Sequence, residues 1–163
     1  KGTPFRNEAK NWFRKNSKLE VIEHEIPIYK LSGNEKDREF GDIDLLVIDT
    51  VNKVFYPIEC KHKSGARNIL EMKREMDDFF GRDGKTKDAK LLKHEKRDAW
   101  IKNNLPLMKS FVNDPESYRV RSLLLSAEEI AIGFLAKDSE MPIVLFNQLK
   151  LKGDSIITNP PAK

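Results

Sequence analysis

The chain has 163 residues, of which 39% are hydrophobic and 34% charged, with a formal net charge of +4. That length suits one domain with a real core, and no run of eighteen apolar residues is present to span a membrane. The start carries no apolar signal segment and the single cysteine, Cys60, excludes an internal disulfide, so a soluble cytoplasmic protein is expected.

Thr3-Pro4 reads as a helix cap followed by proline at the first helical position. Phe5, Ala9, Trp12 and Phe13 recur at helical spacing, which predicts a helix to about Asn16 that packs on a sheet. Glu8 falls at the border of that stripe and is expected to point along the core surface. Residues 21–30 alternate apolar and polar and predict a strand; residues 32–37 form a polar loop. The two clearest strands are 43–48 and 54–58, joined around 50–53. Residues 66–80 read as an amphipathic helix, broken by Gly81-Arg82-Asp83-Gly84. A second, more polar helix is predicted over 86–103, then a short one to 112. Strands are expected over 118–125 and 142–146, while 128–135 fits helix and strand alike. Helix, three strands, helices and late strands make a mixed α/β domain over 1–153, with 154–163 as a departing linker or tail. An opening residue of Lys1 rather than Met suggests that the domain belongs to a larger chain or complex.

Positive charge is concentrated in one place. Residues 82–97 hold seven basic and three acidic side chains, a net of 7 − 3 = +4. A solvated helix face explains such a run, and so does a surface for a polyanion. In the second reading Lys87, Lys90, Lys93 and Arg97 would contact nucleic-acid phosphates.

The chemistry is concentrated elsewhere, in Gly41-Asp42-Ile43-Asp44 and Glu59-Cys60-Lys61. An antiparallel hairpin with a two- or four-residue connection at 50–53 makes partner numbers sum to 103. Asp49 then faces Val54, Asp44 faces Glu59, and Asp42 faces Lys61. Cross-strand partners lie within about 5.5 Å, so the four charges at 42, 44, 59 and 61 would crowd one patch. Ile43, Leu45, Val47, Ile58 and Cys60 would take the opposite face. Two carboxylates at that distance repel, and a divalent ion with oxygen ligands would remove the conflict. Ordinary salt bridging at a wet surface explains the same charges. Against it, Leu46 and Ile48 continue the Asp44 face in apolar character, and Ile58 and Cys60 flank Glu59.

These residues resemble the PD-(D/E)xK, or restriction-endonuclease-like, nuclease superfamily. Gly41-Asp42-Ile43-Asp44 is similar to its G-x-I-D element, and Glu59-Cys60-Lys61 to its E-x-K element. The resemblance implies a central mixed β-sheet of four or five strands flanked by helices. It also implies hydrolysis of phosphodiester bonds, with DNA favoured. Asp44, Glu59 and the Cys60 carbonyl would bind Mg²⁺, with Mn²⁺ able to substitute, and Lys61 would serve catalysis. Glu8 is the best match to the glutamate that many members carry on the first helix. Cutting both strands of a duplex would call for two copies of the site, hence a homodimer. A literal Pro-Asp pair is missing, since Ile43 precedes Asp44. Pro57 removes a ladder donor from a strand placed centrally.

Other candidates read more simply as structure. His62 and His94 are surface histidines in this reading, Cys60 an inert thiol, and Lys73 a snorkelling lysine. Two rival functions stand beside the nuclease. One is a catalytically silent nucleic-acid-binding or assembly module on the same scaffold. The other is a binding domain whose acidic patch is a salt-bridge cluster.

Overall fold

The computed structural model describes residues 3–62, 68–80, 90–127 and 141–159. The first helix, α1, spans Thr3–Asn16 as its apolar spacing predicts, and it buries Phe5, Ala9 and Phe13. Two short strands follow, β1 (Glu20–Val21) and β2 (Ile26–Pro27), then a short helix α2 (Ile28–Ser32). A 3₁₀ turn over Glu35–Phe40 leads to β3 (Asp42–Ile43), β4 (Leu45–Asp49) and β5 (Val54–Lys61). Helices α3 (Ile69–Phe80) and α4 (Lys90–Asn103) come next. They precede β6 (Arg119–Val120), β7 (Leu123–Ser126) and β8 (Ile143–Leu145). Helices α5 (Phe146–Lys152) and α6 (Ser155–Thr158) complete the described chain.

The strands build one mixed sheet, five across, in the order β1-β4-β5-β7-β8, with β6 also beside β5. β1, β4 and β5 run antiparallel; β6 and β7 are parallel to β5, and β8 is parallel to β7. The β4–β5 register is the expected one, from Asp49 opposite Val54 to Leu45 opposite Ile58. Asp49 closes the hairpin. One carboxylate oxygen accepts the amides of Val51 and Asn52, at 3.1 and 2.9 Å, and the other accepts the Asn52 side chain at 2.8 Å.

Helices cover both faces. On one, α1, α5 and α6 pack over Leu45, Val47, Tyr56 and Ile58. On the other, Ile101 of α4 and Met108 meet Leu46, Ile48 and Phe55. Burying such β-branched and aromatic side chains on both faces is what makes the central strands read as continuous apolar runs. No helix among the described residues is long and apolar enough to cross a membrane.

Several boundaries differ from the sequence expectation. The strand expected over 21–30 divides in two. Ile22 still donates to the Leu46 carbonyl, but β2 leaves to form a separate two-stranded sheet with β3, and Pro27 ends it at the start of α2. The strand expected over 118–125 is also interrupted. Phe55 pairs with Val120 and Ile58 with Leu123, so the gap at Arg121–Ser122 lies opposite Tyr56 and Pro57. Pro57 has no N–H to offer the parallel ladder there, and the pairing lapses. The expected linker is packed instead as far as residue 159: Ile157 of α6 is buried in the α1-side core, and Ser17 donates to Asp154 at 2.6 Å. The expectations at Lys87 and over 128–135 lie outside the described residues.

Candidate active site

The site begins with a bend. The extended stretch expected over 43–48 is broken at Asp44, which separates β3 from β4. Successive strand residues turn their main-chain groups to opposite neighbours. Leu46 offers its carbonyl to Ile22, so Leu45 and Val47 serve β5, and Ile43 would do the same if the strand were straight. Ile43 instead pairs with Ile26, and its side chain joins the α4-side core with Leu46 and Ile48. The amide of Cys60 is satisfied by a side chain instead: it donates to Asp44 Oδ2 at 2.9 Å.

Arg6 of α1 holds the bend from outside. Its Nε donates to the Asp44 carbonyl, its guanidinium donates to the Glu23 carbonyl at 3.1 Å, and Glu25 lies 3.8 Å away. Burial raises the Asp44 carboxyl first, and the nearby Glu59 carboxylate raises it further, to about 7, against the pull of the Cys60 amide and Arg97. Glu25 adds a smaller repulsion.

Glu59 sits on the same side, near the end of β5, and is held by α4. Arg97 donates to Glu59 Oε2 at 2.9 Å and to the Phe40 carbonyl at 2.9 Å. Its guanidinium also lies 3.4 Å from His94 Nδ1. His94 Nε2 is 3.2 Å from the Leu123 carbonyl, an acceptor, so Nε2 carries the proton and Nδ1 accepts from Arg97. Burial pulls the His94 imidazole below its usual range and keeps it neutral. Gly41 makes room for this arrangement. It adopts φ +70°, and a β-carbon there would meet Lys93 Cε at 3.1 Å and Arg97 at 3.2 Å.

The structure thus brings Asp44 and Glu59 together. Lys61, two residues beyond Glu59 and on its face by strand alternation, is 8% exposed. Cys60 packs its side chain against the α1-side core, and burial pushes its thiol well up, so its sulfur is no nucleophile. Its carbonyl shares the direction of its own amide, toward Asp44, whereas Lys61 offers its carbonyl to Ala127.

Other expected members lie elsewhere. Asp42 pairs with Pro27 across the small sheet rather than with Lys61, because the bend carries β3 away from β5. Glu8 is exposed. The apolar stripe of α1 is flanked by Arg6 and Lys10 on the side that meets the acids, and Glu8 falls on the other flank. Lys90 begins α4, and Lys93 is half-buried beside Gly41. Arg97 is 5% exposed and turned into the site rather than out toward solvent. His94 is buried, His62 lies 6.0 Å from the Phe5 ring, and Lys73 is exposed. Arg6 and Glu25 are the members that sequence reasoning missed. The spacing of Arg6 and Lys10 beside the stripe was the available signal.

Among the described residues no three His, Cys, Asp or Glu side chains are grouped to hold a metal ion. Two carboxylates and a main-chain carbonyl are oxygen donors of the class that hard divalent cations take. A raised carboxyl beside a second acid is the electrostatic signature of a place where a cation would be favourable.

No curated protein and no solved structure matches this chain. A family model described as "Anti-phage protein Upx-like" matches residues 2–132, about four-fifths of the sequence, including every side chain of the acidic site. On that match the chain belongs to the anti-phage protein Upx-like family.

Proposed function

We propose that this chain acts in phage defence as a metal-dependent nuclease of the PD-(D/E)xK kind, hydrolysing phosphodiester bonds, with DNA as its favoured substrate. The observation that carries the reading is the Asp44–Glu59 pair at a bend, with the Asp44 carboxyl raised to about 7 by burial and by its neighbour. Lys61, buried at the end of β5, lies on the same face as Glu59.

Asp44, Glu59 and the Cys60 carbonyl would hold the ion. When bound, a divalent cation supplies a Lewis acid for the phosphoryl oxygen and a more acidic water. Asp44 would lose its proton on binding, since a cation favours the charged carboxylate. Lys61 would donate to a phosphate oxygen and stabilise the charge that develops during attack. Arg97 and the Cys60 amide would keep Glu59 and Asp44 in their orientations.

One observation favours a second reading. Arg97 already neutralises Glu59 in a closed ion pair, so the site balances its charge without a metal. That suits a catalytically silent nucleic-acid-binding or assembly module.

Incubation of the chain with plasmid, linear and single-stranded DNA and with RNA, in Mn²⁺ or Mg²⁺, separates the two. The nuclease reading expects metal-dependent cleavage that disappears in Asp44→Asn. Binding by the wild type without scission in any metal would select the silent module.

A further inference from the structure

Two cavities adjoin at the end of the sheet opposite Asp44. β8 begins at Ile143, beside Leu124, so it does not reach the level of β6. The space beside Val120 and Ser122 is a cavity of about 630 Å³, bounded by α4, by Met141-Pro142 and by α6. A second cavity, of about 220 Å³, shares Tyr56 and Arg121 with it. Arg119 and Arg121 donate their amides to the Lys53 and Phe55 carbonyls, each at 2.9 Å. By alternation Val120 and Ser122 turn theirs the other way, toward the larger space.

The charges in the two spaces differ. In the larger, Asp98 is compensated: it accepts Ser122 Oγ at 2.7 Å and pairs with Lys102 at 2.8 Å. The remaining walls include Leu123, Val144 and Ile157, which are buried and apolar. In the smaller, Asp49 is taken up by the amides of its own turn. Arg119 and Arg121 line that same space, and among the described residues neither forms an ion pair. The pair of cavities therefore offers a chamber of ordinary ligand size, apolar at Leu123, Val144 and Ile157 and acidic at Glu95 and Asp98 on its α4 wall, with two arginines at the attached smaller space.

We infer that these joined cavities bind a small organic anion, its ring body in the larger space and its phosphate or carboxylate head between Arg119 and Arg121. The site is separate from the Asp44–Glu59 pair and does not depend on what that pair does.

Calorimetric titration of the 163-residue chain tests this. The two-part probes are the four nucleoside 5′-monophosphates and indole-3-acetate. Adenosine and indole supply a body alone; inorganic phosphate and acetate supply a head alone. At least one two-part probe should bind about tenfold more tightly than either of its halves. Success with a nucleotide or with the carboxylate identifies the head. Arg121→Gln should weaken that binding about tenfold, and Ile156→Trp, which fills the larger chamber from a half-buried position, should do likewise. Asp44→Asn should leave it unchanged. The proposal fails if no two-part probe binds at about 1 mM, or if binding survives both substitutions in folded protein.

Discussion

The carboxylate of Asp44 takes the place of a main-chain acceptor for Cys60, at 2.9 Å, where the straight ladder would have used the Ile43 carbonyl. The acceptor that replaces a lost main-chain partner and the buried acid beside Glu59 are thus one residue. The bend that removes β3 from β5 needs a side-chain acceptor for an otherwise orphaned amide, and the same bend brings a buried acid against Glu59. Arg6 and Arg97 reach this pair from opposite faces of the sheet, one from α1 and one from α4.

Asp44 should make the fold pH-dependent. Its native carboxyl binds a proton up to about pH 7, whereas the unfolded group does so only below its ordinary value of 3.8. The native state therefore holds the extra proton between those values. The stability it confers is complete below about pH 4 and is lost as the pH rises through 7, a change on the order of 4 kcal/mol. Asp44→Asn keeps an acceptor for the Cys60 amide and cannot ionise. Urea unfolding at pH 5 and pH 8 should show a smaller difference in the variant, and Mg²⁺ at pH 8 should restore stability only to the wild type. Equal pH dependence in both proteins would contradict the assignment.

Arg97→Ala leaves Glu59 half-buried without its partner. A loss of about 3 kcal/mol is expected in denaturant unfolding, because an unpaired buried charge costs more than the pair contributes. The double variant Arg97→Met, Glu59→Gln should recover much of that loss. If the single and double variants are equally unstable, Arg97 matters through packing and not through charge.

Gly41→Ala carries two costs, a backbone at φ +70° and ψ −149° that side chains other than hydrogen rarely allow and a β-carbon close to Lys93 and Arg97, while Gly33→Ala carries only the smaller cost of a left-handed αL backbone. Gly33 has φ +69° with open space around it. Gly33→Ala should lose about 1–2 kcal/mol from the backbone, and Gly41→Ala up to about 3 kcal/mol. The part of the Gly41→Ala drop in melting temperature that Lys93→Ala relieves measures the contact with that side chain of α4, and a drop unchanged by Lys93→Ala would remove that contact from the account.

Within the nuclease reading, Lys61→Ala should lower turnover about a hundredfold, the usual cost of one charge-stabilising donor. Its Mn²⁺-induced rise in melting temperature should persist, since the carboxylates are untouched. Glu8→Ala should stay within about twofold of wild type, because Glu8 is exposed on the flank of α1 away from the acids. A large loss in Glu8→Ala would restore it to the site.

Much of the arrangement was legible in local patterns. The β4–β5 register follows from two alternating apolar runs and a short polar connection, and a one-residue slip would have exposed the Leu45–Val47 face. α1 is similarly legible, since its cap, proline and apolar spacing agree. Errors came where one local pattern admitted two answers. Glu8 and Arg6 both border the α1 stripe, and periodicity does not say which flank meets the acids. Arg97 lies in a lysine-rich helix that reads as a solvated face or a phosphate-binding surface, yet its partners Phe40 and Glu59 are 57 and 38 residues away in sequence.

Residue order alone settled the hairpin, its register and the placement of Asp44 and Glu59 near one end of it, because side-chain alternation and turn length act over a few neighbours. Only the tertiary structure decided the bend at Asp44, the inward turn of Arg97 and the lapse of pairing opposite Pro57. Those depend on which distant strand or helix supplies each hydrogen-bond partner and counter-charge.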